Sequence, residues 1–142
     1  MASAFYNNYH EELGKGGINY TADTFHVMLM TSAYTPNVDT EAFRSDLSNE
    51  ASGTNYTAGG QAVASVTWTQ DNTDNRAVLD FANLVFANVT LPSAAGAVLY
   101  KRTGAAATDI LICFIEFTEG DRSVVANDFT VTPSATGVLT NG

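Results

Sequence analysis

Short apolar runs separated by turn-forming residues recur along the chain, and they limit its possible folds more than any other feature. The run from Ile110 to Phe117 is apolar on both faces as far as Phe114, which predicts a central strand that is covered on two sides. Asn, Asp, Gly and Pro bound the other runs at the spacing of an all-β domain. We therefore predict a mainly β protein: a single domain built as an antiparallel β-sandwich or a jelly-roll-like fold, with one or two short helices.

The predicted strands are short and lie mostly in the second half of the chain. They cover residues 24–30, 61–70, 76–81, 83–91, 97–101, 110–117 and 128–132. Residues 61–81 predict a hairpin around a polar turn, and alternation within it places Trp68 on the same face as Val66 and Ala64, toward the core. Pro92 is predicted to end the strand that precedes it.

Two short helices are predicted before this β-rich half. Phe5, Tyr9 and Leu13 fall on one face of a helix over residues 3–13, and the glycines that follow end it. Residues 39–47 predict a second helix that is acidic at its start, and a long polar loop comes after it. We accordingly divide the chain into an N-terminal arm with a short helix (1–17), a β-sandwich domain (18–132) and a C-terminal tail (133–142).

Composition narrows the possible partners. The 142 residues include 6 Lys and Arg against 15 Asp and Glu, for a formal net charge of -9. Phosphate binding needs clustered basic residues, so we expect no nucleic-acid partner. No apolar run approaches the ~20 residues of a membrane-spanning helix, so we expect no membrane partner. The start of the chain lacks the basic leader and apolar core of a signal peptide, which predicts a protein made and kept in a cytosol.

No arrangement of residues indicates an active site. His10 and His26 are the two histidines, and the lone Cys113 lies in an apolar strand, where we expect a small buried hydrophobic residue. One cysteine and two distant histidines do not make a zinc site. The segment Asp71-x-Thr73-x-Asn75 lacks the glycine and the glutamate that complete a calcium loop, so an ordinary hairpin turn is preferred. We expect no enzyme activity, no catalytic residue, no cofactor and no metal.

An ordered set of short motifs carries a resemblance. The motifs are Asp23 to Met30, Tyr34-Thr35-Pro36, Phe43-Arg44-Ser45-Asp46, Asn49-Glu50, Gly53, Tyr56-Thr57-Ala58-Gly59-Gly60, Gly96 to Lys101 and Ile110 to Phe117. Over roughly residues 5–132 the chain resembles a family of small proteins encoded by tailed bacteriophages and prophages. The resemblance implies a virion structural protein, most like a capsid decoration (cement) protein. Its partners would be the major capsid protein and neighbouring copies of itself.

Two aromatic groups are interface candidates for such a role. They are Phe5, Tyr6 and Tyr9 within residues 1–17, and Tyr34, Phe43 and Tyr56 within residues 34–60. The first group would dock on the capsid or on an adjacent subunit, and an equal alternative is that Phe5 and Tyr9 cap the domain's own core. Components of this kind usually form closed homo-oligomers, and a trimer is our preferred assembly.

Two other functions stay open. A tail, neck or fibre component of the same virion would assemble into rings or fibres instead of binding capsids. A carbohydrate-binding β-sandwich would need an exposed aromatic platform, whereas Trp68, the sole tryptophan, is predicted to lie in the core. Our first expectation remains a protein of the capsid exterior that is made in the cytoplasm of the bacterial host.

Overall fold

The computed structural model describes residues 3–133 and 139–141, and of the second range it describes the backbone. The fold is mainly β, with antiparallel sheets and one short α-helix, consistent with the predicted single-domain β-sandwich. In chain order the elements are β1 (Ala4–Phe5), α1 (Asn7–Gly14), β2 (Phe25–Met30), a 3-10 helix (Arg44–Asp46), β3 (Gln61–Ala62), β4 (Thr67–Asp71), β5 (Arg76–Asp80), β6 (Leu84–Ala94), β7 (Gly96–Lys101), β8 (Ile110–Glu116), β9 (Arg122–Val131) and β10 (Leu139–Asn141).

The strands form three antiparallel sheets. The largest is five-stranded, in the order β1-β8-β7-β2-β3, and it accompanies a three-stranded sheet β10-β5-β4 and a two-stranded sheet β6-β9. β8 lies between β1 and β7 with both faces covered, which confirms the prediction from its apolar sequence. A register shift between β7 and β8 turns both Ile112 and Cys113 toward the same core.

The five-stranded sheet has a core on each face. Phe25, Val27 and Leu29 of β2 point into the main core, where they meet residues of β5, β6 and β9. Because side chains alternate along a strand, Met28 and Met30 point to the opposite face. There they join a smaller core together with residues of β7 and β8.

The N-terminal helix begins later than predicted. Ala4 and Phe5 form β1, which pairs with Phe114 and Cys113 of β8, and α1 starts only at Asn7. A backbone segment that has joined a sheet cannot also make the hydrogen bonds of a helix. The predicted helix is therefore confirmed for α1 and wrong for residues 3–5, of which Ala4 and Phe5 form a strand.

The predicted helix over residues 39–47 is wrong. A single 3-10 turn forms at Arg44–Asp46, because the preceding Phe43 is extended and bridges to Ile110. The Asp46 carboxylate accepts the backbone N–H groups of Ala42 and Phe43, each at 2.9 Å. Such local side-chain bonds compete with helical ones, so the acidic residues of this stretch stabilise a turn.

Strand boundaries in the middle of the chain also differ from prediction. The expected strand over residues 61–70 is broken, since Gln61–Ala62 pair with β2 and the backbone turns at Ser65 (φ 56°) before β4 begins. The hairpin of β4 and β5 is confirmed, and the Asp71 carboxylate accepts N–H groups of its turn. Pro92 does not end β6, because it lies where the pairing register with β9 shifts.

The last two strands extend beyond the predicted ones. β9 begins at Arg122, well before the predicted start at residue 128. In the predicted tail, residues 139–141 form β10, which pairs with Ala77, Val78 and Leu79 of β5. Residues 1–2 of the arm and residues 134–138 and 142 of the tail lie outside the described residues.

Candidate functional site

Residues 31–60, here called the cover segment, connect β2 to β3 across the five-stranded sheet. Tyr34, Val38 and Leu47 in its first part pack on the smaller core, while Ala51 and Tyr56 in its second part pack on the main core. Backbone bonds fix its path: the N–H of Ala51 donates to the carbonyl of Leu29 at 2.8 Å. The cover segment therefore brings its polar side chains against the sheet in a defined register.

Two tyrosines from distant parts of the chain bond to each other beneath the cover segment. The hydroxyl oxygens of Tyr6 and Tyr34 are 2.6 Å apart, and Tyr34 donates to the Glu41 carboxylate at 2.8 Å. Burial raises the pKa of both phenols above their ordinary value, so both stay neutral at physiological pH. This chain of bonds fastens the N-terminal segment to the cover segment.

Asp109 is the one buried charged residue among those described, and it directly precedes β8. Its carboxylate accepts the Nε–H of Arg44 at 2.7 Å, the Thr103 N–H at 2.7 Å and the Thr103 hydroxyl at 2.9 Å. Burial disfavours the ionised form, but these donors outweigh it and hold the pKa of Asp109 below its usual value. Since 20% of the Arg44 side chain is exposed, the pair is largely buried and fastens the cover segment to the turn before β8.

A third set of bonds surrounds Tyr100, which is fully buried in β7. Its hydroxyl donates to the Gly59 carbonyl at 2.5 Å, and the Arg44 guanidinium lies 5.5 Å from its ring centroid. The Gly59 N–H donates to the Glu50 carboxylate, at 2.6 and 3.1 Å to its two oxygens. Burial raises the pKa of Glu50 above its ordinary value, although Gly59 and Arg44 oppose the shift. These bonds hold Gly59, near the end of the cover segment, through both its N–H and its carbonyl.

His26 borders the same cluster, with its ring centroid 5.9 Å from that of Tyr100. Burial lowers the pKa of His26, and the charge of Arg102 adds to the effect. In the part of the chain that the structure describes, its buried Nδ1 has no hydrogen-bond partner. The sequence predicts a satisfied structural histidine, and the unpartnered Nδ1 departs from that prediction.

An aromatic cluster joins α1 to the β4–β5 hairpin. Trp68 stacks on Tyr20 with centroids 5.9 Å apart, and Phe5 and Tyr9 meet it edge-on at 5.9 and 6.0 Å. The hydroxyl oxygens of Tyr9 and Tyr20 are 2.7 Å apart, and burial raises the pKa of Tyr9 to about 12. Trp68 is partly buried against the main core, as predicted, and Tyr20 covers one of its ring faces. Ala64, which was predicted to lie on the same face, is exposed because the strand is broken at Ser65.

All six predicted interface residues lie against the chain's own cores. Tyr6, Tyr9 and Tyr34 are buried, whereas Phe5, Phe43 and Tyr56 are partly buried against the main core. Of the two interpretations of Phe5 and Tyr9, packing on the domain's own core is the arrangement that the structure has. The buried Tyr6, Tyr9 and Tyr34 would have to leave a core to make such a contact, whereas the partly buried Phe5, Phe43 and Tyr56 keep some exposed surface.

Sequence reasoning missed the roles of Arg44, Glu50, Gly59 and Asp109. The bond between Arg44 and Asp109 joins residues 65 positions apart, and the bond between Glu50 and Gly59 joins residues nine positions apart in an irregular loop. One local signal was present, since Asp109 stands directly before an apolar strand and is drawn inside with it. A buried carboxylate implies a positive or donating partner, but it does not say which one.

The described residues, 3–133 and 139–141, include no group of three His, Cys, Asp or Glu side chains able to hold a metal ion. None of the helices in these ranges is long and apolar enough to cross a membrane. Cys113 is fully buried, and burial raises the pKa of its thiol above the ordinary value. Its expected behaviour as a small hydrophobic residue is confirmed.

No protein family model, curated protein or solved structure matches this chain. The geometry defines its class as a mainly β domain of antiparallel sheets, consistent with a β-sandwich. The most elaborate hydrogen-bond network of the domain holds the cover segment in place over the five-stranded sheet. This network holds the cover segment as an ordered surface. The charged groups at the centre of the network, Arg44, Glu50 and Asp109, each bond to other groups of the same chain.

Proposed function

We propose that this protein is a non-catalytic structural component of a tailed-bacteriophage virion, and that it decorates the outer capsid by binding the major capsid protein. The proposal is supported by an overlap between the residues of the resemblance motifs and the residues whose hydrogen bonds hold the cover segment. The motif residues that carry the resemblance to phage proteins include Tyr34, Arg44, Glu50 and Gly59, and these same residues fasten the cover segment. Bonds at these residues hold the cover segment in one conformation, as a pre-ordered binding surface requires.

The exposed side of the cover segment is the surface that we assign to the capsid. It carries small polar residues such as Ser32, Thr35, Thr40 and Ser45, all exposed. Because bonds underneath already order this segment, binding through it loses little conformational entropy. A pre-ordered polar surface suits a component that must bind in many copies.

Charge supports a position on the outside of the shell. The net charge of -9, with 6 basic residues in 142, gives packaged nucleic acid no basic surface to bind. A negative net charge also keeps copies soluble at high local concentration in the bacterial cytoplasm before assembly. No cofactor is needed for this role.

Co-sedimentation with capsids stripped of the protein tests the proposal. We expect saturable binding at a fixed ratio to the major capsid protein, and we expect Thr40→Arg to weaken it by placing a long charged side chain on the assigned surface. Thr69→Arg, the same change at an exposed residue of β4, is the matched control and should bind as the wild type does. Absence of capsid binding by the wild type would overturn the proposal.

Deletion of residues 1–13 is unsuited to this test. Tyr6 and Tyr9 are buried, and Ala4–Phe5 pair with β8, so the deletion is expected to unfold the domain. Loss of binding would then report loss of folding. Substitutions at exposed residues separate the two effects.

The alternative functions predict different results in the same experiment. A tail, neck or fibre component would leave capsids unbound and assemble into rings or fibres by itself. A sugar-binding role at Trp68 is disfavoured, because Tyr20 covers one ring face and Phe5 and Tyr9 contact the ring edge-on.

A further inference from the structure

Among the described residues, Arg102 is the one basic residue without an ion pair. The structure describes all 6 Lys and Arg residues and all 15 Asp and Glu residues. The other basic side chains each pair with a carboxylate at 2.5 to 3.4 Å: Lys15, Arg44, Arg76, Lys101 and Arg122. The partly exposed Arg102 therefore carries a charge that no carboxylate of the described chain balances at close range, although the net charge is -9.

The backbone register places Arg102 on the same face of the five-stranded sheet as His26 and Tyr100. His26 of β2 pairs with Tyr100 of β7. The N–H of Arg102, two positions further on, donates to the Thr24 carbonyl at 2.8 Å and continues this pairing. Because side chains alternate along an extended chain, Arg102 follows Tyr100 on the face of the smaller core. His26 and Arg102 are both only partly buried, so they lie at the margin of that core.

The guanidinium of Arg44 reaches the same margin from the cover segment. A Cβ atom built on Gly59 would lie 3.6 Å from Nη1 of Arg102 and 3.7 Å from Nη1 of Arg44, so the two guanidinium groups approach one point. Arg44 gives its Nε–H to Asp109, and a guanidinium has four further N–H donors. We call His26, Arg44 and Arg102 the basic corner.

Two carboxylates lie near the basic corner, and both already accept other donors. Asp109 is fully buried, and besides Arg44 it accepts the N–H and the hydroxyl of Thr103. Glu50 accepts the Gly59 N–H at 2.6 and 3.1 Å to its two oxygens. These two carboxylates reduce the positive potential of the corner, but neither forms an ion pair with Arg102.

His26 supplies a second polar group that lacks a partner. Its Nδ1 is buried and has no hydrogen-bond partner in the part of the chain that the structure describes. Buried polar atoms without partners are rare in folded proteins, and each needs an explanation such as a bound group. The two arginines act on this ring: burial lowers the pKa of His26, the charges of Arg102 and Arg44 lower it further, and Asp109 opposes them.

We infer that the basic corner is a binding site for a carboxylate group, with Arg102 as its main ligand and the outer N–H groups of Arg44 as a second one. A guanidinium presents a planar fork of N–H groups that matches the two oxygens of a carboxylate. The net charge of -9 repels a polyanion such as a nucleic acid, whereas a single carboxylate responds mainly to the arginines beside it.

The source of the carboxylate follows from where the corner lies. Ser45, which directly follows Arg44, is exposed on the side of the cover segment that we assign to the capsid. We therefore assign the bound group to an Asp or Glu side chain of the major capsid protein, an assignment that rests on the proposed function. The carboxylate site itself can be tested without capsids.

Proton NMR of the full chain tests the site, because the ring protons of the two histidines report separately. Acetate is the probe, titrated to about 100 mM with chloride replaced at constant ionic strength. We expect acetate to shift the ring resonances of His26 saturably. His10, exposed in α1, is the internal control, and its resonances should not respond.

Two matched variants complete the test. Arg102→Gln should weaken acetate binding at least about tenfold, because it removes the unpaired guanidinium. Arg122→Gln removes the same charge from an arginine that already pairs with Glu119 at 3.4 Å, and it should bind acetate as the wild type does. Since Arg102 is partly exposed and makes no ion pair, its variant should fold, and near-ultraviolet circular dichroism verifies this.

Each outcome discriminates. The inference is overturned if the His26 resonances of the wild type ignore acetate, or if Arg102→Gln keeps the full response. A response to inorganic phosphate without one to acetate would refute the carboxylate class. Acetate binding by a wild type that does not bind capsids would support the site and refute the proposed function. Normal capsid binding by Arg102→Gln would exclude the capsid protein as the source of the carboxylate.

Discussion

Replacement of Arg44 by methionine tests whether a buried ion pair fastens the cover segment. Methionine keeps an apolar stem near Tyr100 but removes the Nε–H donor that lies 2.7 Å from Asp109. Breaking a buried pair by removing one partner costs ~3–5 kcal/mol of the free energy of unfolding. Because 20% of the Arg44 side chain is exposed and the two Thr103 bonds to Asp109 remain, we expect the lower end, about 3 kcal/mol.

The two halves of the pair should respond unequally. Arg44→Met leaves a fully buried carboxylate without its charged partner. Asp109→Asn leaves unpaired a guanidinium that water can reach. We therefore expect Asp109→Asn to cost less, about 1–2 kcal/mol. The double variant should lose less free energy of unfolding than the two single variants together, since it leaves no charge unpaired.

The loss from Arg44→Met should also depend on pH. The pKa of Asp109 in the folded protein lies below its ordinary 3.8, so its ionised form contributes stability that is present above 3.8 and lost as the pH falls through the folded-state pKa. Without Arg44 this contribution shrinks. The difference in free energy of unfolding between the wild type and Arg44→Met should thus be largest near neutral pH and small in acid.

Urea unfolding at several pH values, followed by Trp68 fluorescence and by far-ultraviolet circular dichroism, measures these quantities. Two results would refute the reasoning. One is a loss below about 1 kcal/mol for Arg44→Met, which is the behaviour of an exposed ion pair. The other is strict additivity in the double variant, which would show that the two side chains do not interact.

Three further predictions concern single positions. Burial raises the pKa of Glu50 above 4.5, so the folded state binds its proton more tightly than the unfolded state does. Relative to wild type, Glu50→Gln should therefore become more stable as the pH rises above 4.5, and urea midpoints that run parallel across that range would contradict this. Gly60→Ala should lower the free energy of unfolding by about 3 kcal/mol or more, because a Cβ there would lie 1.8 Å from the Val27 carbonyl oxygen. The control Gly120→Ala, at the nearly equal φ of +77° but in open space, should lower it by only about 1 kcal/mol. Thermal unfolding of the two variants measures the difference. Cys113 should react with thiol reagents only when the domain unfolds, so a labelling rate insensitive to urea would show that it is reached without unfolding.

Regular strands with a strong pattern were predictable. β2 and β8 were recognised because a strand covered on both faces needs a nearly continuous apolar run, and local sequence records that directly. The β4–β5 hairpin was recognised because its polar turn interrupts two strands. β1 and β10 were not, since strands of 2 and 3 residues are too short to show alternation.

The aromatic residues show a second limit. Composition indicates that Tyr6, Tyr9 and Tyr34 are important, but an amphipathic side chain serves equally well in a core or at an interface. Their burial is decided by hydroxyl partners elsewhere in the chain: Tyr34 for Tyr6, and Tyr20 for Tyr9. These three of the six predicted interface residues therefore lie in internal packing.

Local sequence was enough to predict the mainly β class, the doubly covered central strand, the buried cysteine and the scarcity of basic charge. These follow from composition and from patterns a few residues long. Long-range packing, in contrast, sets the pairing of Arg44 with Asp109 and the link that Gly59 makes between Tyr100 and Glu50. The physical reason is that periodicity reports which face of a segment avoids water, while the partner that covers this face is chosen by the packing of the whole chain.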